Sequence, residues 1–593
     1  MKHRLSPPAT AGAISFPRRR FVQGLAAGGA LAGLGLLGLP AWAAGSPAEL
    51  SGREFDLVIS ELPVNFTGQP AIATAINGQV PGPVLRWREG DTVTLRVTNH
   101  LKVPTSIHWH GIVLPTEMDG VPGLSFNGIA PGETFVYRFR VGQSGTFWYH
   151  SHSGLQEQTG IYGPIVIEPR ESQPRMREHV LMLSDWTDED PERVYAKLKT
   201  FDGYYNYARP TFADLRQQAQ KEGWSKAWEE RMMWDRMRMS PRDLADITGA
   251  TYTFLANGTT PAGNWTALFN NGERVKLRII NAATMTYFDL RIPGLKMTVV
   301  AADGQPVHPV TVDEFRIGVA ETYDVIVEPD SDTAYTIFAQ AMDRSGYARA
   351  TLAPRKGMSA AVPALDPVPT LGMMDMGMAM HMDMPQHDAM NMHGMQHHDM
   401  AAMPGMAMGS MQKSAPDYTM QVKKHPATEN GPGTAMQAQV VSTRLDDPGA
   451  GLRNNGRRTL TYADLHSLDG VINPQEPTRT IEMHLTGNMS RYMWSFDGVK
   501  FSDAEPIRLT YGERVRIVLV NDTMMEHPIH LHGMWSELEN PLGGMQVRKH
   551  TVSVKPGHAV SYRVLADARG RWAYHCHLLY HMKAGMFREV EVA

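Results

Sequence analysis

The chain has 593 residues, 42% of them hydrophobic and 20% charged, with a formal net charge of −4 and a pI near 6.7. That balance gives no reason to expect a nucleic-acid partner or attraction to an anionic membrane surface. A single cysteine, Cys576, excludes any disulfide within the chain. The length exceeds what one hydrophobic core serves and predicts several domains.

Residues 1–43 read as an export signal rather than as part of the fold. Arg18-Arg19-Arg20-Phe21 precedes a run of Leu, Ala and Gly to Leu39, and Ala41-Trp42-Ala43 is a small-x-small cleavage site. The run is close to the length of a membrane span, but its glycines make it only mildly apolar. The mature chain is therefore expected to have no stable membrane span. It would pass through the twin-arginine machinery to the periplasm, or an equivalent oxidising space.

Beyond residue 43 the apolar segments are short, alternating and rich in Val, Ile, Thr and Tyr, a pattern of β-sandwiches. Gly90-Asp91-Thr92-Val93-Thr94-Leu95-Arg96-Val97-Thr98-Asn99 recurs as Gly272-Glu273-Arg274-Val275-Lys276-Leu277-Arg278-Ile279 with Asn281. It recurs again as Gly512-Glu513-Arg514-Val515-Arg516-Ile517-Val518-Leu519-Val520-Asn521. Three related all-β domains follow, over 50–170, 178–355 and 421–593. The second interval is longer than the first because 356–420 is a Met/His-rich stretch without hydrophobic periodicity, expected to be a disordered insert. A second excursion, Pro191 to Asp246, is rich in Arg, Glu, Ala, Met and Gln and predicts helices. Its Met232, Met233, Met237 and Met239 are expected to pack rather than to bind metal.

Four His-x-His pairs stand in β context: His108/His110, His150/His152, His530/His532 and His575/His577. On a strand, residues i and i+2 share a face. Gly145 to His152 aligns with Gly570 to His577 at one constant offset, and His108-Trp109-His110-Gly111 aligns with His530-Leu531-His532-Gly533. In the first domain Ser151 stands opposite Cys576, Gln156 opposite His581, Ile161 opposite Met586 and Thr105 opposite His527. The matching strand of the second domain, Tyr335 to Ala341, carries no ligand. Eight paired histidines from two pseudo-symmetric domains suffice for three coppers, two with three imidazoles and one with two, leaving positions open to O2.

The last stretch, Trp572 to His581 with Met586, adds imidazole, thiolate and thioether, the donors of a blue copper centre. A lone cysteine is ordinarily an inert apolar residue, but its histidine neighbours make this one a ligand. On a strand Cys576 points to one face while His575 and His577 point to the other, so short covalent paths join the two kinds of site.

With these motifs the chain resembles the multicopper oxidases, specifically the copper-resistance protein A family, over nearly all of the mature sequence. The resemblance implies three cupredoxin-like Greek-key sandwiches and four copper ions. It implies a type 1 copper on His527, Cys576 and His581 with axial Met586, and a type 2 copper on His108 and His530. It further implies type 3 coppers on His110, His150 and His577 and on His152, His532 and His575. Asp119 falls where such oxidases keep an acid beside the cluster. Electrons would pass from the type 1 copper through Cys576 and its flanking histidines, reducing O2 to water.

Substrate is read from the insert. Gly372 to Met411 holds fifteen Met and five His, and thioethers select Cu(I). Met525 corresponds to a substrate-copper methionine of the periplasmic copper-efflux oxidases, with Thr523 where one of their aspartates falls and Asp522 beside it. Asp522 and Met525 are thus the substrate-copper candidates. The expected activity is oxidation of Cu(I) to Cu(II) with O2, in copper resistance, with periplasmic copper carriers as possible partners. A laccase-like oxidase of phenols or aromatic amines is one alternative and a copper-sequestering protein another. A two-domain nitrite reductase does not need the full set of four pairs.

Overall fold

The computed structural model describes residues 47–171, 174, 176–378, 418–422, 424–468 and 473–593. The expected signal and most of the Met/His-rich segment lie outside the described residues. Among the described residues no helix is long and apolar enough to cross a membrane.

Three two-sheet sandwiches follow one another, with sheets of four and five strands in the first and of six and five in each of the others. The three repeats form strands Thr92–Asn99, Val275–Asn281 and Arg514–Asn521. Each lies inside its sheet, between a parallel and an antiparallel neighbour. Their alternating Val, Leu and Ile side chains enter a core that runs continuously through all three sandwiches.

The asparagine that closes each repeat explains why the motif is shared. Asn99 donates from Nδ2 to the carbonyls of Val103 and Ile129 and accepts Leu101 N–H. Asn281 does the same with Thr286, Ile317 and Ala283, and Asn521 with Met525, Val554 and Thr523. One buried amide thus satisfies three backbone groups where the chain leaves the strand, a point at which unpaired groups would each be costly.

The predicted helical excursion is present as Pro191–Thr200, Phe212–Glu222 and Trp224–Met237. Asp190 caps the first helix and a Thr211/Asp214 capping box the second. Met233, Met237 and Met239 pack partly buried against the core, as expected. The near end of the Met/His-rich insert is better seated than its composition suggests. Leu371 and Met376 are buried, and Asp375 pairs with Arg453. At the far end Thr419–Gln421 pairs with Val440–Ser442. Regularly placed apolar contacts are not needed for this, because two buried side chains and one ion pair are enough to tether a short extended stretch.

The second and third sandwiches are joined by a buried charge triad. Lys549 Nζ lies 3.0 Å from both Asp303 Oδ2 and Glu321 Oε1, with all three side chains inaccessible. Burial works against the Lys549 charge, but the two carboxylates outweigh it and hold the ammonium protonated well above its usual range. Lys549→Met leaves two buried carboxylates without their cation and is expected to cost about 3–5 kcal/mol, seen as a lower thermal midpoint. An unchanged midpoint would show the triad to be energetically idle.

Candidate metal centre

Strand register builds the centre. His108–His110 pairs antiparallel with Gly145–His150, setting His108 opposite His150. In the third sandwich His527–Leu531 pairs with Gly570–Cys576 and sets His530 opposite His575. The same pairing therefore occurs twice, with each pair of rings on one face. The glycines after the first pairs clear space at positive φ. A Cβ on Gly111 would stand 2.4 Å from the His550 ring, and one on Gly533 2.6 Å from the Trp572 indole.

The two faces meet across the boundary between the first and third sandwiches. His108 stacks on His532 with centroids 3.9 Å apart, and His110 on His530 at 3.8 Å. His577 Nε2 lies 3.3 Å from His150 Nε2, and His532 Nε2 lies 3.1 Å from His575 Nε2. Ring nitrogens converge within 4.8 Å in the groups His108/His530/His532, His110/His150/His577 and His152/His532/His575.

The outer nitrogens fix the tautomers. His108 donates Nδ1–H to the Asp119 carbonyl, His530 to the His550 carbonyl and His575 to the Cys576 carbonyl. His532 donates to the Asp119 carboxylate at 2.8 Å. The Nε2 lone pairs of His108 and His530 then face inward, buried without a partner, as are His152 Nε2 and both ring nitrogens of His110. Burial, reinforced by neighbouring imidazoles, holds His110, His150, His152, His530, His532 and His577 far below the usual histidine range. His575 is pulled down to about 4, again chiefly by burial. Neutral rings with bare inward lone pairs are what a metal ion requires of its ligands.

A second group lies on the other face of the same strand. Cys576 Sγ, His527 Nδ1 and His581 Nδ1 form a triangle with sides of 3.6, 3.9 and 3.2 Å. The point equidistant from its corners is about 2.1 Å from each, the bond length of a transition ion to imidazole or thiolate. His581 donates Nε2–H to Asp246 Oδ2 at 2.7 Å, and His527 donates Nε2–H to Thr523 Oγ1 at 2.7 Å. Their Nδ1 lone pairs therefore confront each other and call for a cation between them. Burial pushes the Cys576 thiol well above its usual range, so a thiolate here also needs that cation. Met586 is buried and fastened beside the triangle: its carbonyl accepts Cys576 N–H and its N–H donates to the His581 carbonyl.

The donor set fits copper, and the comparisons agree. Profiles described as multicopper oxidase match residues 59–172, 177–357 and 474–593. A copper resistance protein A homolog of Pseudomonas syringae pv. tomato is 60% identical over 594 residues, covering 97% of this chain and 99% of its own. The chain belongs to the multicopper oxidases. Copper resistance protein A of Escherichia coli, 57% identical with the same coverage, places it in that branch of the family. Among solved structures, Fet3p, a multicopper oxidase that functions in iron import, superposes with a TM-score of 0.61 at 20% identity, covering 92% of this chain and 90% of its own. A Campylobacter jejuni metallo-oxidase gives 0.56 at 18%, covering 92% and 94%. These two likenesses show the fold, three cupredoxin-like sandwiches, and the family shows copper binding.

The structure brings the eight paired histidines into one cluster and His527, Cys576 and His581 into the other, with Met586 buried and bonded through its backbone to Cys576 and His581. The two substrate-copper candidates, Asp522 and Met525, are both buried and have different neighbours. Met525 is buried in the core, and the Asp522 carboxylate turns to His484 and Ala438 N–H. The physical reason is local: Asn521 pins the backbone at Met525 and Thr523, while Asp522 N–H pairs with Leu485 O on the neighbouring strand.

The roles of four residues of this oxidase escaped the sequence reading. His550 groups with His110 and His530, its Nε2 buried and unpartnered. Glu157 places a carboxylate 3.0 Å from His150 Nδ1. Thr523 and Asp246 anchor the two imidazoles beside Cys576. None of the four belongs to a spaced pair, and Asp246 comes from the far end of the helical excursion. Asp246→Asn removes the anionic acceptor from His581 and is expected to weaken metal retention beside Cys576 by about 10–100-fold, with the histidine cluster unaffected. Copper competition with a chelator, followed on the blue absorption, measures it; equal retention would assign Asp246 to packing alone.

Proposed function

We propose that the protein is a periplasmic Cu(I) oxidase of copper resistance, holding four coppers and using O2 as electron acceptor. In this reading His527, Cys576, His581 and Met586 hold the type 1 copper, and His108 and His530 the type 2 copper. His110, His150 and His577 hold one type 3 copper, and His152, His532 and His575 the other. Residues 1–43 form the twin-arginine leader, 50–170, 178–355 and 421–593 the three domains, and 356–420 the insert. Bound copper supplies one-electron exchange with the substrate at the first position and reduction of O2 to water at the other three.

The observation that carries this reading is the place of Cys576. Its sulfur belongs to the triangle with His527 and His581, and its covalent neighbours His575 and His577 belong to two different triads of the cluster. The chain itself thus supplies a path of a few bonds from one centre to both halves of the other. Asp119 holds the imidazoles of His108 and His532 in place, and its Oδ1 is buried beside them without a hydrogen-bond partner. Trp148, stacked on His150, and Phe587, stacked on His575, cover the cluster with buried aromatic rings.

Cu(I) as substrate is supported by the surroundings of the type 1 group. A narrow crevice is lined by Met342, Asp375, Arg453, Met524, Glu526 and His558. It places thioethers beside the residue preceding His527 and beside the seated end of the Met/His-rich insert. Soft donors at that position suit Cu(I).

Metal analysis with an absorption spectrum tests the centre. Four coppers per chain and an intense visible band are expected, and Cys576→Ser should lose the band while retaining three coppers. Substrate is tested by O2 uptake. Uptake should depend on Cu(I), and deletion of 379–411, which spares the buried Met376, should raise the Cu(I) concentration for half-maximal rate severalfold. Strong phenol turnover without Cu(I)-dependent uptake would assign a laccase-like oxidase instead. Binding of many more than four coppers with negligible uptake would assign sequestration.

A further inference from the structure

A second convergence of ligating side chains lies outside both centres. His484 stands on the strand Arg479–Asn488, whose parallel partner is Arg514–Asn521. Asp522 follows that partner strand directly. Glu429 belongs to the short turn Ala427–Asn430, and His425 precedes it. His484 Nδ1 is 2.6 Å from Asp522 Oδ2 and 3.5 Å from Glu429 Oε1. His425 Nδ1 is 2.8 Å from Glu429 Oε2 and 3.3 Å from Asp522 Oδ2. The two imidazole centroids are 5.0 Å apart.

The Glu429 and Asp522 side chains are wholly inaccessible, and His484 nearly so. Glu429 Oε1 has no hydrogen-bond partner. His425 Nε2 is held 3.0 Å from the Ala438 carbonyl, which turns its Nδ1 toward the two carboxylates. Two buried carboxylates require positive charge among them, since unpaired buried charge is strongly destabilising. Burial works against a proton on His484, but Asp522 and Glu429 hold the pKa of that imidazole up to about 9, and a divalent cation can take the place of that proton. His425 is the one member with appreciable exposure, 17% of its side chain, and it opens the cluster to solvent.

Two imidazole nitrogens and two carboxylate oxygens suit divalent first-row ions, and the Irving–Williams order places Cu(II) first among them. With no sulfur donor, the set does not favour Cu(I). Asp522 is joined through Thr523, whose hydroxyl accepts from His527 Nε2, to the group around Cys576. We propose that His425, Glu429, His484 and Asp522 form a fifth copper site, selective for Cu(II), which receives the ion released after oxidation beside His527. The placement of this site as a product site rests on the Cu(I) oxidase reading; the binding of Cu(II) there does not.

The test is uptake of Cu(II) by the resting full-length holoenzyme, by equilibrium dialysis and electron paramagnetic resonance. Wild type should take up one Cu(II) per chain more than Glu429→Gln or His425→Gln, with an axial signal split by two nitrogens and the blue band unchanged in all three. Equal uptake by all three, or an added signal without nitrogen splitting, overturns the site. Should His425→Gln fail to fold, Glu429→Gln decides, because it keeps the shape of the native side chain. Crystals soaked in copper sulfate provide a second readout. An anomalous peak among the four side chains supports the site, and none there overturns it. Uptake of the extra ion by a protein lacking Cu(I) oxidase activity supports the site and refutes the substrate reading, so the two failures are told apart.

Discussion

Imidazole nitrogens buried without hydrogen-bond partners, between two sandwiches, are the constraint on which this structure turns. Each such atom costs about 1–3 kcal/mol when left unsatisfied, and the Nε2 atoms of His108, His110, His152 and His530 are all in that position. Rotating the rings does not relieve the cost for His108 and His530, because their outer nitrogens are already committed to carbonyls of Asp119 and His550. Ligation is the compensation, so copper binding contributes directly to the stability of the interface between the first and third sandwiches. The arrangement depends on strands, since only a fixed register brings eight imidazoles together between two sandwiches.

The first sandwich shows what happens to the same scaffold when the sulfur site is given up. Opposite His527, Cys576 and His581 stand Thr105, Ser151 and Gln156, and the structure finds these three bonded to one another. Thr105 and Ser151 both donate to Gln156 Oε1, at 2.7 and 3.1 Å, and Gln156 donates onward to the Pro104 carbonyl. A triangle whose geometry fits a cation in one domain is replaced in the other by a set of neutral hydrogen bonds centred on Gln156. The histidine faces on the opposite side of each strand keep their register in both. Metal capacity can thus be removed from one face of a strand without disturbing the other, because alternation makes the two faces independent.

The sandwiches, their order and the cluster histidines were legible because each rests on a short-range pattern: period-two alternation, a recurring strand that ends in Asn, or a pair two residues apart. Trp572 to Met586 was legible for the same reason, since a strand end and a short helix bring its ligands together locally. The anchoring residues were not. Asp246 reaches His581 across 335 positions, Asp119 reaches His532 across 413, and only the second had a motif to mark it. The separate surroundings of Asp522 and Met525 were not legible either, because neighbouring residues at a strand end need not share a face, and a parallel strand carrying His484 holds the aspartate. Periodicity reports which face of an element a residue occupies; it is silent on which other element packs there.

The second sandwich, without ligands of its own, acts as a brace on both centres. Through the helical excursion it supplies Asp246 to His581 beside Cys576. Through Asp303 it accepts the backbone N–H groups of His550 and Thr551 and pairs with Lys549. The carbonyl of His550 in turn receives His530 Nδ1–H in the cluster. One carboxylate of this domain is therefore a single hydrogen bond from the sulfur centre, and another is two steps from the oxygen-facing one. A domain in that position cannot shift without moving a ligand at each end. That rigidity is what electron transfer between fixed sites demands, and it gives a physical reason for a sandwich placed between two candidate centres built from the other two.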